Sequence, residues 1–270
     1  MYAVNSHMST MIVAFASHKG GVGKSTIATG FAALTASAKR RTLLIDLDQQ
    51  GHATFGIGGE VVIRTGQDIT NHPGSADFLL GKGLPFQAIT PYLHVLAGNN
   101  DLNDREIPTL EAEALFDAIA TVRDQYDVIV IDTPPNAHDL AKLGTVAAQS
   151  VYIPIDAHPY SINSATRLIA DLEQRKAKGR IGATRWAIVP NRIDPRRRLD
   201  REVMAAAKDV FKDTPILKIA QDTILAQAST DRKPITAYTS NRSRKSSSSK
   251  GASVFTELNA LVKWADSANK

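Results

Sequence analysis

Ser17-His18-Lys19-Gly20-Gly21-Val22-Gly23-Lys24-Ser25-Thr26 follows the apolar run Met11-Ile12-Val13-Ala14-Phe15-Ala16 and opens a segment of small and apolar residues at helical spacing. Strand, glycine turn and helix, in that order, is how a chain cradles phosphate. Glycines at 20, 21 and 23 let the backbone curl until successive N–H groups point inward, and a helix beginning near Lys24 aims its positive end at the same spot. The run fits the P-loop pattern G-x-x-x-x-G-K-[ST], with Ser17 where the first glycine stands. In that pattern Lys24 bridges the β- and γ-phosphates and the Ser25 hydroxyl ligates magnesium. Gly20, Gly21, Val22, Gly23, Lys24, Ser25 and Thr26 are therefore the nucleotide-binding candidates.

Outward from this turn, short runs rich in Val and Ile alternate with amphipathic segments, the pattern of β-α units building a buried parallel sheet. Strands are expected at Ile12 to Ser17, Thr42 to Leu47, Leu93 to Ala97, Val128 to Asp132, Val151 to Ile155, Trp186 to Pro190 and Ile216 to Ile219. Helices are expected at Lys24 to Ala38, Leu110 to Arg123, Ser161 to Lys178, Asp200 to Phe211 and about Ala252 to Ala265. The implied class is α/β: a P-loop NTPase with a mostly parallel twisted sheet and helices on both faces. Residues 56–75, rich in glycine and polar residues, read as a long surface loop. Residues 239–251, TSNRSRKSSSSKG, are basic, of low complexity and poor in anything that could be buried, so mobility is expected there. Residues 1–10 read as a cloning remnant or a disordered N-terminus, leaving 11–270 as a single domain.

Composition narrows the chemistry. The 270 residues, 43% hydrophobic, suit one large core. There is no cysteine, which excludes disulfides, thiolate zinc sites, iron–sulfur clusters and cysteine nucleophiles together. No apolar stretch approaches 18 residues and no signal-peptide pattern opens the chain, so a cytoplasmic protein is expected. Lys and Arg outnumber Asp and Glu by 32 to 27, a mild excess whose location matters more than its size. His18, His52, His94, His138 and His158 show no metal-ligand spacing.

Three aspartates fall where open α/β sheets place their ligands, at strand ends. Asp132 closes Val128-Ile129-Val130-Ile131, as an aspartate holding magnesium through water should. Asp46 and Asp48 close the preceding strand two residues apart, on the same side of an extended chain. A lone aspartate at a strand end is often a cap; three beside one P-loop favour the chemical reading.

At these residues the sequence resembles the ParA/MinD family of deviant Walker A ATPases, and within it the ParA (Soj-like) partitioning branch. The matching runs are KGGVGKST at 19–26, LLIDLDQQGHAT at 43–54, YDVIVIDTPP at 126–135, IPIDAHPYS at 153–161 and RRRLDREV at 196–203, and the match covers almost the whole chain from Met11 onward. The resemblance implies ATP and Mg2+ as cofactors, slow hydrolysis of ATP to ADP and phosphate, and a nucleotide-sandwich homodimer formed on ATP binding. Lys19, the signature lysine, would cross to the partner's phosphates. Asp48 would polarise the attacking water, Asp46 and Asp132 would support magnesium, and Asn191 would contact adenine. Lys19, Lys24 and Asp48 are thus the catalytic candidates. A second lysine delivered in trans serves the purpose of an arginine finger, concentrating positive charge on the transition state.

The ParA branch binds DNA without sequence preference in its ATP state, is released when a ParB-like or adaptor protein stimulates hydrolysis, and so partitions plasmid, chromosome or protein cargo. The resemblance therefore implies association with the nucleoid in that state. Arg196, Arg197, Arg198 and Arg201 cluster on or just before one expected helix, and Arg242, Arg244, Lys245 and Lys250 lie in the polar tail. Clustered cations near phosphates release counterions, which supplies sequence-independent affinity. Three positions depart from the branch: Ile224 stands where chromosomal relatives carry another DNA-binding arginine, Gln227 replaces a usual glutamate, and Asp48-Gln49-Gln50 replaces Asp-Pro-Gln. The first strand begins near Met11, so an N-terminal helix-turn-helix domain is not expected. A MinD-like membrane role would need a terminal amphipathic helix with a basic face. The last helix carries Glu257, Asn259 and Asp266 against Lys263 and Lys270, so it is expected to dock on its own domain through Phe255, Leu258, Leu261 and Trp264, and no membrane partner is expected. Among enzymes on the same scaffold, iron–sulfur carriers and the nitrogenase iron protein fall with the absent cysteines. A small-molecule ligase such as dethiobiotin synthetase has less use for a trans lysine, and a bacterial tyrosine kinase would usually end in a tyrosine-rich tail.

Overall fold

Seven strands form one sheet in the order β3-β4-β2-β5-β1-β6-β7. They are β1 (Met11–Phe15), β2 (Thr42–Asp46), β3 (Gln87–Thr90), β4 (Leu93–Leu96), β5 (Val128–Asp132), β6 (Ser150–Ile155) and β7 (Arg185–Pro190). Every pairing is parallel except that of β3 with β4. The computed structural model describes residues 9–61, 73–103, 107–135, 138–238 and 254–268. Helices cover both faces: α1 (Lys24–Ser37), α2 (His52–Gly56), α3 (Ser75–Leu79), α4 (Ala114–Ala120), α5 (His138–Ala147), α6 (Pro159–Ala177), α7 (Arg198–Val210), α8 (Thr223–Thr230) and α9 (Val254–Asp266).

The continuous apolar runs of β1, β2, β5 and β6 are buried along their whole length, as strands covered on both faces must be. Alternation along β1 divides the core. Met11, Val13 and Phe15 pack with Ile27 and Phe31 of α1, Leu225 of α8 and Leu258 of α9. Ile12 and Ala14 pack with Leu115 of α4, Leu143 of α5, Leu168 of α6 and Val203 of α7.

The expected terminal helix is present as α9 and is turned inward. Leu258 and Leu261 are fully buried, the Tyr152 hydroxyl donates to Leu261 O at 2.5 Å, and Trp264 packs edge-on against Tyr152 at 5.2 Å. Arg40 and Asp266 close its end with an ion pair at 2.9 Å.

Two expectations need correcting. Ile216 to Ile219 runs beside β7 without becoming a strand: Leu217 N donates to Ile188 O and Ile219 N to Pro190 O, but only isolated bridges at Ile216 and Ala220 form. The missing rung is the one Pro190, lacking an N–H, cannot donate. The helix expected over Leu110 to Arg123 is confined to Ala114–Ala120, because 107–109 form a 3₁₀ turn and the β-branched pair Thr121-Val122 leads into another at 123–125. The loop expected over 56–75 is bounded by α2 and by α3, which begins at Ser75; most of it, and the tail at 239–251, lie outside the described residues. Strand β3 and helices α2, α3, α5 and α8 are additional to the expected elements.

Candidate nucleotide site

β1 lies inside the sheet between β5 and β6, and the chain leaves its C-terminal end through the glycine turn into α1. Gly23 caps α1 with a left-handed backbone, φ 90°, a conformation that side-chain-bearing residues rarely adopt. Lys24 follows, 5% exposed, with its ammonium 3.4 Å from Lys19 O. Burial lowers the Lys24 pKa, and the charges of Asp132 and Asp48 oppose that fall. A cleft of about 440 Å³ opens in front of the turn, lined by Lys24, Ser25, Thr26, Asp48, Pro134 and Arg192 among others.

Asp46 and Asp132 end neighbouring strands and are register partners across β2 and β5. Both are completely buried. Burial raises Asp46 to about 6, although Thr54 donates to it from N at 2.8 Å and from Oγ1 at 2.7 Å and Asp48 N donates at 3.0 Å. Asp132 is pushed up further, first by burial and then by the charge of Asp46, while Ser25 and Lys24 favour its ionised form. The Ser25 hydroxyl bears on the carboxylate, yet neither of its oxygens accepts a well-formed hydrogen bond among the described residues. A buried, unsatisfied carboxylate beside a serine hydroxyl offers the oxygen donors a hard divalent cation takes directly or through water, with the lysine ammonium left to bind anionic oxygens. Asp48, also buried, accepts from Gln50 N at 2.9 Å.

The ten-residue turn sends its two lysines to different places. Lys24 lines the cleft; Lys19 is drawn to the loop between β6 and α6, where its ammonium donates to both Asp156 oxygens at 2.7 Å and to Ser161 Oγ at 3.2 Å. Burial alone would raise Asp156, but hydrogen bonds from Lys19 and Ser161 and the Lys19 charge outweigh it and hold the carboxyl below its usual range. Asn191 stands at the end of β7, 4% exposed, with Nδ2 donating to Val22 O at 2.8 Å.

The arginine cluster lies at the start of α7, and much of its charge is paired within the chain. Arg196 grips Asp194 through two nitrogens, the shortest contact being 2.7 Å; Arg198 pairs with Glu202 at 2.6 Å; and Arg197 lies 3.9 Å from Asp194. The hydrogen bonds from Arg196 hold Asp194 down at about 2. Arg242, Arg244 and Lys245 lie outside the described residues.

Thr54, Gly98 and Asp156 were not singled out from sequence. Thr54 holds Asp46, and a Cβ at Gly98 would lie 2.2 Å from Asp48 O and 2.9 Å from Asp46 Cγ, so only glycine lets the end of β4 approach the acidic pair. Thr54 and Asp156 sit inside the runs LLIDLDQQGHAT and IPIDAHPYS, where a polar side chain beside a charged candidate was the available signal. Gly98, in the unremarkable run Ala97-Gly98-Asn99-Asn100, carried none.

Strand order, turn and strand-end carboxylates define the class, a P-loop nucleotide-binding fold. Residues 10–181 match the AAA domain family. A chromosome partitioning protein ParA from Myxococcus xanthus is 30% identical over 237 residues, 84% of this chain and 81% of its own length. An uncharacterized protein of Pseudomonas putida is 34% identical over 208 residues, 74% of this chain and 76% of its own. The fold is shared with a Cyanothece McdA–ATP complex, at TM-score 0.78 and 19% identity over 96% of this chain and 97% of that one. It is shared as well with MinD of Pyrococcus horikoshii in complex with Mg-ADP, at TM-score 0.70 and 21% identity over 97% and 99%. The chain belongs to the ParA/MinD family of deviant Walker A P-loop ATPases.

Burial and the charge of Asp46 both disfavour the ionised form of Asp132. Asp132→Asn, which keeps the shape and removes a buried charge, is expected to stabilise the ligand-free protein at pH 7 by on the order of 1–3 kcal/mol in urea unfolding. A variant no more stable than wild type would show that the carboxylate is not costly where it sits.

Proposed function

We propose that the chain is an ATP-dependent dimerising ATPase of ParA type, which binds DNA without sequence preference in its ATP state and drives segregation or positioning of a plasmid, chromosome or protein cargo. The observation that carries this reading is the divergence of the two lysines. Lys24 is buried in the cleft and suited to its own nucleotide's phosphates, whereas Lys19 sits at the surface of the turn on a partly exposed ion pair, from which it can be withdrawn toward a second subunit.

In this reading the N–H groups of residues 20–26 and Lys24 bind the phosphates, and Asn191 borders the base. Ser25, Asp46 and Asp132 hold Mg2+; the orphaned oxygens of Asp132 fit that role, and Asp46, already satisfied by Thr54, supports it from behind. Mg2+, when bound, supplies charge neutralisation at the phosphates. Asp48 orients the attacking water and accepts its proton, and the partner's signature lysine adds positive charge where the transition state develops it. Hydrolysis then depends on assembly, and a ParB-like or adaptor protein that stabilises the assembled site sets its rate. The names of the Myxococcus relative and of the McdA and MinD structures support partitioning, ATP and magnesium in turn. DNA affinity is assigned to Arg196, Arg197 and Arg198 with the tail cations Arg242, Arg244 and Lys245. The ion pairs of Arg196 and Arg198 are highly exposed on the arginine side, so exchanging a carboxylate for a phosphate costs little. The inward docking of α9 commits its apolar face to α1 and the sheet, which favours DNA over lipid as the surface gripped.

Gel filtration of Asp48→Ala with ATP and magnesium is expected to show a dimer, because binding persists while turnover stops. A strict monomer would remove the sandwich. Asp156→Asn releases Lys19 from its ion pair and is expected to favour the dimer by up to about fivefold, the range of a partly exposed pair; a weaker dimer would mean that Asp156 supports assembly instead. DNA affinity of the ATP state should fall with salt, and Arg196→Ala should weaken it across sequences and reduce the log–log slope by about 1. Absence of binding, or of any salt slope, would remove the DNA-gripping role.

A further inference from the structure

A phosphate cradle made of backbone N–H groups turns its carbonyls outward, and each buried carbonyl then needs a donor of its own. The donors here come from the end of β7. Asn191 Nδ2 donates to Val22 O at 2.8 Å in a fully buried bond between segments 169 residues apart. The asparagine is itself anchored, since its backbone N–H donates to Ile155 O at 2.8 Å at the end of β6. Arg192, with a left-handed backbone at φ 58°, reaches toward Gly21 O at 3.5 Å. The asparagine side chain also occupies the space beside Gly23: a Cβ built there would fall 2.2 Å from Nδ2. One side chain therefore meets the turn twice, by bonding the carbonyl before Gly23 and by filling the volume a side chain at 23 would need.

We propose that Asn191 is a positioning residue for the phosphate cradle. By holding Val22 O it fixes the turn that directs the N–H groups of Gly23 and Lys24 inward, and this role is independent of any contact with the base. The assignment rests on the nucleotide-site reading above and changes what Asn191 contributes to it. An adenine contact draws on Oδ1 and the second amide hydrogen and leaves the bond to Val22 in place.

Asn191→Asp keeps the size and removes the donor, and Asn191→Ala is the second variant should the first not fold. Two readouts separate the brace from a base contact: hydrogen exchange of residues 20–24 in the nucleotide-free protein, and calorimetric affinity for magnesium tripolyphosphate, which has neither base nor ribose, alongside ATP. Exchange at Gly23 and Lys24 is expected to accelerate at least about tenfold, and tripolyphosphate and ATP are expected to weaken by a common factor of about ten or more, the cost of orphaning a buried carbonyl. Unchanged exchange, with ATP weakened and tripolyphosphate bound as before, would overturn the proposal and return Asn191 to the base alone. If wild-type protein binds neither ligand, the nucleotide reading itself fails. The exchange measurement still decides the brace in that case: acceleration supports it and unchanged rates overturn it.

Discussion

Three carboxylates and an ammonium share the buried end of β2 and β5, and the rest of the molecule is arranged around tolerating them. Asp46 and Asp132 face each other across adjacent strands with little water to screen them, so burial raises both, and the charge of Asp46 raises the affinity of Asp132 for a proton as well. The protein resolves this unequally. Asp46 receives two hydrogen bonds from Thr54 and one from Asp48 N, which makes it part of the scaffold. Asp132 receives no well-formed one among the described residues, only the influence of the Ser25 hydroxyl, and is left with capacity to spare. Unequal satisfaction of two like groups is what separates a structural carboxylate from one kept for a ligand, and stability given up at a site is usual where function requires it.

Much of this was legible in the sequence because it is written in short, local patterns. The glycine turn, the apolar runs of β1, β2, β5 and β6 and the strand-end aspartates all lie within a few residues of the features that identify them. What was not legible depends on partners distant in the chain. Strand β3 contributes Gln87-Ala88-Ile89-Thr90, whose single large apolar residue has no period to detect; it is a strand because β4 offers it an edge. Helices α2 and α3 span five residues each, too short for a helical repeat to show. Ile216 to Ile219 has the composition of a strand, and the proline that breaks its ladder belongs to the neighbouring one.

The charge pattern shows the same limit more sharply. Arg196-Arg197-Arg198 reads as a concentrated positive patch, yet Asp194 and Glu202, close by in the chain, fold back onto it. A count of cations overstates the field such a patch projects. Lys19 is the counterpart: its position before two glycines marks it in the sequence, while its resting partner Asp156 lies 137 residues away. Both are partly exposed, so the pair is weak enough to be broken by a competing interaction of ordinary size.

The end of the chain closes the site from behind. Helix α9 packs Leu258 and Leu261 into the layer occupied by α1, whose first residue is Lys24, and its buried Glu257 accepts a hydrogen bond from Ala220 N at 2.9 Å. Ala220 bridges to Ile193, two residues beyond Asn191. One helix thus backs both the helix that begins at the phosphate turn and the segment beside the end of β7 that braces it. Two layers of the protein hold opposite sides of the turn, and the terminal helix touches both. That coupling explains why its apolar face is spent inward: a helix free to dip into another surface would leave α1 and the β7 end without a common support.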